Sequence, residues 1–175
     1  NRYELNERLA NLFESAMETL DKKLSYARYQ AIAYLKPEAA NGLYDNAELI
    51  SRSLAGIRKN GLVKRLESSF YAFQISLNNF RQANQNMIDM FNRDKVFIAP
   101  DLDINNLLEA GLSDEEIEEK LNAKAEENPK NSVFKAEEFD PEYIELLQQD
   151  QEILEKLYKD WEGITDEDDS KFAKF

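Results

Sequence analysis

The sequence predicts an all-α protein built on two long antiparallel helices, with shorter acidic helices attached. Three observations carry this. Apolar residues recur at steps of three and four over most of the chain, the spacing that gathers one face of a helix. Cap and turn residues stand where those runs end. Alternation of apolar and polar residues, the mark of a half-buried strand, forms no convincing run.

Residues 3–35 place Leu5, Leu9, Leu12, Phe13, Ala16, Met17, Leu20 and Leu24 on one stripe, so a single long helix is expected, ended by Pro37 and Gly42. A shorter helix is expected over 46–59, with Leu49, Ile50, Leu54 and Ile57 turned inward. Asn60-Gly61 is its expected stop, because both residues tolerate the left-handed conformation of a helix end. The second long helix is expected over 62–94, where Leu62, Leu66, Phe70, Phe73, Leu77 and Phe80 step by three and four. Met87, Ile88 and Phe91 keep the period through an Asn- and Gln-rich stretch of weaker helix propensity.

The second half is more broken. A short apolar patch, Val96–Pro100, precedes a small helix around 103–109. Ser113-Asp-Glu-Glu116 has the form of a capping box, in which Ser113 accepts the N3 amide and Glu116 reaches back, so an acidic helix is expected over 114–127. Residues 126–139 read as a loop of turn formers. Asp140 and Pro141 suit the N-cap and first turn of a further helix, with Ile144, Leu147, Leu154, Tyr158 and Trp161 on its inner face. Gly163 ends that helix, and another is expected from Asp166 onward. By composition the chain divides into a long-helix core, 1–99, with a basic segment at 52–65, and an acidic helical extension, 100–175. The two are expected to form one structural unit.

Charge follows the same division. Residues 1–99 hold 14 Lys+Arg and 11 Asp+Glu, a balance of +3; residues 100–175 hold 8 and 24, a balance of −16. Only the first half suits nucleic acid, because phosphate affinity needs cations and the second half repels it.

Composition also excludes chemistries. There is no cysteine, hence no disulfide or thiolate, and no histidine, hence neither the usual general base nor the usual metal ligand. No run of about 18 apolar residues suggests a membrane helix, so no membrane partner and a cytoplasmic location are expected. The chain opens at Asn1 without a signal-peptide pattern and closes at Phe175 in a charged segment. Both ends read as cut, which leads us to expect a fragment of a longer protein.

No phosphate-binding loop with its Gly-Lys-Ser/Thr ending occurs, so the fragment itself is expected to hold no ATP and no other cofactor. Residues 101–112 begin like a calcium loop with Asp101, Asp103 and Asn105. They fail it with Asn106 at the glycine position and Leu112 at the glutamate position. The acids at 114–119 lack the histidines of a di-metal bundle site and read as a solvated helix face. Ser68 and Ser69 have only Lys64 nearby as a base, too little for a hydrolase. The most distinctive feature is the cation group Arg52, Arg58, Lys59, Lys64 and Arg65, with no acid between 49 and 66. One reading is an amphipathic helix with solvated charges, in which Lys64 and Glu67 pair on the surface. The other is a contact surface that Ser68 and Ser69, both small, let a second body approach.

Residues 60–80, NGLVKRLESSFYAFQISLNNF, resemble a segment of bacterial SWI/SNF-type superfamily 2 helicases that lies between the two RecA-like motor lobes. LSYARYQAIAYL at 24–35 is similar to the long-helix segment preceding it. DWEGITDEDDSKFAKF at 160–175 is similar to the run leading into the second lobe, with Asp169-Ser170-Lys171 in place of Asp-Pro-Lys and Phe172 and Phe175 in place of leucines. The resemblance implies a helical accessory domain of an ATP-dependent DNA or RNA helicase or translocase, with ATP and magnesium held in motor lobes outside these residues. Its partners would be those lobes and, through Arg52, Arg58, Lys59, Lys64 and Arg65, either nucleic-acid phosphates or a lobe surface. The alternative is a helical protein–protein adaptor without a nucleic-acid role.

Overall fold

The stripe that opens the chain does reach the core, but not as one helix. The structure, a computed structural model, describes residues 2–165 and 167–168. Helix α1 (Arg2–Glu18) buries Leu9 and Ala16 and half-buries Leu12, Phe13 and Met17; the side chain of Leu5 lies outside the described ones. A π-helical turn, Thr19–Lys23, then widens the spiral, and Tyr26 takes a left-handed conformation with φ of 57°. Two 3₁₀ turns, Ala27–Tyr29 and Ala31–Tyr34, lead into the short α2 (Pro37–Ala40). The expected single helix over 3–35 is therefore corrected.

The physical reason lies far along the chain. The buried Asp150 carboxylate accepts the Ser25 amide at 2.9 Å, the Ser25 hydroxyl at 2.8 Å and the Ala27 amide at 3.1 Å. In a continuous helix those amides would serve carbonyls four residues back. The Tyr26 hydroxyl donates to the Leu20 carbonyl at 2.6 Å and the Tyr143 hydroxyl to the Ala27 carbonyl at 2.8 Å, so both ends of the turn are anchored. Burial pushes the Asp150 carboxyl up from the usual range, opposed by the hydrogen bonds from Ser25 and Ala27.

Helix α3 (Ala47–Ser68) runs straight through Asn60-Gly61, so the expected stop is corrected as well. The break falls at Ser69, which is extended, and its hydroxyl oxygen accepts the Ala72 amide at 3.2 Å as the N-cap of α4 (Phe70–Asn92). The cost of one helical glycine, about 1 kcal/mol, is outweighed by complete burial of Leu62 and near-complete burial of Leu66 beside it. Those two leucines also set the phase of α3. Counting back 11 and 7 residues from Leu62, about 20° either side of it, the inward positions are the buried Ser51 and the half-buried Ala55. Leu49, Ile50, Leu54 and Ile57 are thereby turned out, with exposures of 62, 42, 46 and 69%, contrary to the expected inward face.

The long antiparallel pair is α4 with α7 (Pro141–Trp161), not 3–35 with 62–94. Phe70 and Phe73 meet the Trp161 ring edge-on at 5.0 and 5.2 Å; toward the other end Phe91 lies 5.6 Å from Tyr143. Asp140 caps α7 by accepting the Glu142 amide at 3.0 Å, with Pro141 in the first turn as expected. Its far end is closed from α4, where the Gln74 amide donates to the carbonyls of Trp161 at 2.5 Å and Ile164 at 2.9 Å. The inner face of α7 holds Tyr143 and Leu157 more deeply than the expected Ile144 and Tyr158. Two apolar clusters result. Phe70, Phe73, Leu77 and Phe80 join Leu154, Leu157 and Trp161 in one; Met87, Ile88, Met90 and Phe91 join Tyr143 and Leu147 in the other. Between them lies a polar layer in which the buried Asn84 donates to the Leu147 carbonyl and the Gln151 side chain, both at 2.9 Å.

Strands are present after all, as a two-stranded antiparallel ribbon of β1 (Val96–Ile98) and β2 (Ser132–Phe134), in register Val96 to Phe134. Each strand has 3 residues, too few to display alternation, and both were expected to be irregular. The chain is nonetheless all-α in class. Between the strands come α5 (Ile104–Glu109), capped by Asp103, and α6 (Asp114–Ala125), where the Ser113/Glu116 capping box is formed in both directions. The Asp101 carboxylate accepts from Asn131 at 2.8 Å and Asn128 at 2.9 Å, and these bonds hold its carboxyl below the ordinary value. Asp101 is thus occupied by side-chain amides that tie β1's exit to β2's entry. No described helix is long and apolar enough to cross a membrane. The helix expected from Asp166, with Phe172 and Phe175, lies outside the described residues.

Candidate functional site: the outer side of α3 and the adjoining cleft

Adjacent in sequence, the five cations of α3 do not converge in space. At about 100° per residue, Arg58 and Arg65 share one side, Arg52 and Lys59 share a second, and Lys64 stands on a third. The Lys59 ammonium lies 2.7 Å from the Asp21 carboxylate and also donates to the Asp21 carbonyl at 3.0 Å. The hydrogen bond and charge that Lys59 brings to the carboxylate hold the Asp21 carboxyl below its ordinary value. The Arg58 guanidinium sits over the Tyr29 ring at 4.9 Å. Arg65 donates to the Gly61 carbonyl of its own helix at 3.2 Å. Arg52 and Lys64 are exposed and form no ion pair among the described residues; the expected Lys64–Glu67 pair is likewise not formed there. The Ser68 hydroxyl donates to the Arg65 carbonyl at 3.4 Å, while Ser69 is the N-cap of α4, which gives its small polar side chain a structural role.

Beside α3 lies a cleft of about 700 Å³. Ile50 and Leu54 line it from α3, and Ile98 at the end of β1, Leu102 in the segment before α5 and the buried Phe97 line it too. Arg28 and Tyr29 line it as well, brought there by the 3₁₀ turn that replaces the expected helix. Both guanidiniums near Tyr29 act on one ring, Arg58 at 4.9 Å and Arg28 at 5.9 Å. The Arg28 Nε atom is buried without a hydrogen-bond partner. Burial pushes the Tyr29 phenol up, and the two arginines oppose that shift. Near the start of α3, Tyr44 and Asp45 line the cleft; the Tyr44 hydroxyl donates to the Lys130 carbonyl at 2.7 Å and is pushed up to about 12 by burial.

The arrangement offers apolar contact flanked by guanidinium and carboxylate groups. Among the described residues no group of three or more acidic or soft ligands is placed to hold a metal ion. Sequence reasoning missed Arg28, Tyr29 and the lining residues beyond β1. One signal for the exposed aliphatic residues was present: Leu49, Ile50, Leu54 and Ile57 are out of phase with Leu62 and Leu66 once a single helix carries them all. Compared with protein-family models, curated proteins and solved structures, the chain matches none.

Proposed function

We propose that the chain is a helical accessory domain of an ATP-dependent motor of the SWI/SNF-type superfamily 2 class, seated against a motor lobe of the same polypeptide through the outer side of α3. The resemblance at 24–35, 60–80 and 160–175 supports the parentage. The observation that carries the mode of attachment is the outward aliphatic surface of α3, where Leu49 and Ile57 are 62 and 69% exposed beside Lys64. A helix serving only solvated charge would not present large aliphatic side chains there; a protein surface buries them at about 25 cal/mol per Å².

Nucleic-acid contact is the second reading, favoured by the exposed Lys64 and Arg65 on neighbouring sides of α3. Three facts weigh toward the lobe. Lys59 is neutralised by Asp21, the remaining cations point in different directions, and residues 100–175 carry −16 of charge that phosphates repel. ATP and magnesium belong to the lobes in this reading, and the protein works in the cytoplasm.

The experiment uses the native polypeptide that contains these residues, with a phosphate-binding loop expected upstream and motor motifs downstream. Ile57→Glu/Lys64→Glu is expected to lower translocation per ATP hydrolysed while leaving the salt dependence of DNA binding unchanged. A log–log salt slope flatter by about 0.9 per lost contact, with coupling intact, replaces the lobe reading with the phosphate one. A native polypeptide without motor motifs leaves the adaptor alternative.

A further inference from the structure

We propose that Asn41-Gly42 is a site of spontaneous covalent modification, at which the folded chain converts Asn41 to aspartate and isoaspartate, whereas Asn60-Gly61 is protected. This chemistry needs neither a motor nor a partner, so it holds whichever function the domain serves.

The sequence contains Asn-Gly twice, and both times the next residue is leucine, Leu43 and Leu62. Local composition therefore does not separate the two sites. Glycine makes such pairs reactive, because no Cβ shields its amide nitrogen from the preceding side chain. The Gly42 nitrogen, giving up its proton, attacks the side-chain carbonyl carbon of Asn41. A five-membered succinimide ring forms as the bond to the side-chain nitrogen breaks, and that nitrogen takes the proton and leaves as ammonia. Water then opens the ring at either carbonyl. One opening gives aspartate; the other gives isoaspartate, whose backbone runs through the former side chain. The balance is one water in and one ammonia out, with no oxidant or reductant.

The fold treats the two sites oppositely. Asn41 and Gly42 are exposed between α2 and α3, with φ of 47° and 75°, the signs of a type I′ turn. Nothing stands within 4 Å of where a Cβ on Gly42 would lie. The Gly42 amide donates to no acceptor among the described hydrogen bonds, and the turn is closed by the Leu43 amide on the Ala40 carbonyl at 2.9 Å. Swinging the 41–42 peptide toward the Asn41 side chain thus gives up little beyond that bond. Asn60 and Gly61 lie inside α3, where the Gly61 amide is spent on the carbonyl four residues back. Arg65 donates to the Gly61 carbonyl at 3.2 Å, and the neighbouring Leu62 is fully buried. Attack at Asn60 therefore requires α3 to unwind beside the core.

The product sets a new carboxylate at the approach to α3, three residues before Tyr44. In the isoaspartyl form one extra methylene enters the backbone of a turn that a single hydrogen bond closes.

The test incubates the full 175-residue chain at neutral pH for several weeks and follows both asparagines by peptide mapping with mass spectrometry. A parallel sample is held in enough urea to unfold it. In the folded chain Asn41 is expected to lose its amide about tenfold or more faster than Asn60, because turns open locally far more readily than helix interiors. In urea the two sites are expected to react at nearly the same rate. Isoaspartate is expected beside aspartate at position 41, recognised by the failure of an aspartate-specific protease to cut there. Equal rates in the folded chain overturn the proposal, as does faster loss at Asn60. An Asn41 amide that persists in the folded chain while reacting in urea overturns it too.

Discussion

Replacing Asp150 with Asn keeps the shape of the side chain and removes half of its accepting capacity. In the native protein one oxygen takes the Ser25 amide and the other takes the Ser25 hydroxyl and the Ala27 amide. Asn has one oxygen and one NH₂. Whichever way its amide turns, a buried backbone N–H of Ser25 or Ala27 faces another donor. The lost charge-assisted bond is worth about 1.5–3 kcal/mol, and the stranded amide adds about 1–3 kcal/mol. Relief from burying a charge offsets part of this, leaving a net loss of about 2–4 kcal/mol. In a chain of this length that corresponds to a fall in Tm of about 6–12 °C near the middle of the range. Differential scanning calorimetry at neutral pH, checked by urea unfolding, measures it. Asp150→Ala, which orphans all three donors, should lose more.

The pH dependence carries a sign. Because the folded carboxyl of Asp150 lies above its unfolded value, its contribution is fully present below about pH 3.9. It is lost as pH rises through the raised folded value. Wild type should therefore lose stability in urea titrations as pH rises through that window, a dependence that Asp150→Asn, with no carboxyl there to titrate, should lack. An Asp150→Asn protein within about 0.5 kcal/mol of wild type would refute the account of how the first helix is broken.

Phe73→Ala removes a fully buried ring that meets Trp161 and should cost about 3–5 kcal/mol by chemical denaturation, whereas Lys64→Ala should stay within about 0.5 kcal/mol; equal small effects would remove Phe73 from the core. Ser69→Ala should cost about 0.5–2 kcal/mol as a lost N-cap, and Ser69→Asp should recover much of it in the same urea titration. A Cβ added at the helical Gly56 would meet nothing within 4 Å, so Gly56→Ala should stabilise by about 0.4–1 kcal/mol; a lower Tm would mean α3 is not continuous there.

What could be read from the sequence was local. The Ser113/Glu116 box, the Asp140-Pro141 start and the stripe from Phe70 to Phe91 all declare themselves within a few residues, because a helix satisfies its own backbone and shows its face at fixed spacing. What escaped depended on distance. Leu20 and Leu24 keep the stripe of α1 in register, yet the chain there is broken by a carboxylate 125 residues from Ser25. Asn60-Gly61 has the composition of a stop, but the burial of Leu62 and Leu66 carries the helix through it. That continuity fixes the phase of Ile50 and Leu54 and turns them outward. The cations of 52–65 look like one cluster when written in a line, and a helical rotation disperses them. Arg28 stood in a stretch already singled out, assigned to a helix it does not join.

The polar layer between the two apolar clusters acts as a key in a slot. Leucine and phenylalanine contacts are undirected, so two greasy helices would tolerate sliding along one another. Slipping α4 against α7 by one turn, about 5.4 Å, would push the Asn84 amide into hydrocarbon without the Leu147 carbonyl and the Gln151 side chain. Stranded groups of that kind are expensive enough to forbid the slip. The pair therefore behaves as a strut without backlash: a displacement imposed at the Trp161 end emerges undiminished at the end that carries the β-ribbon.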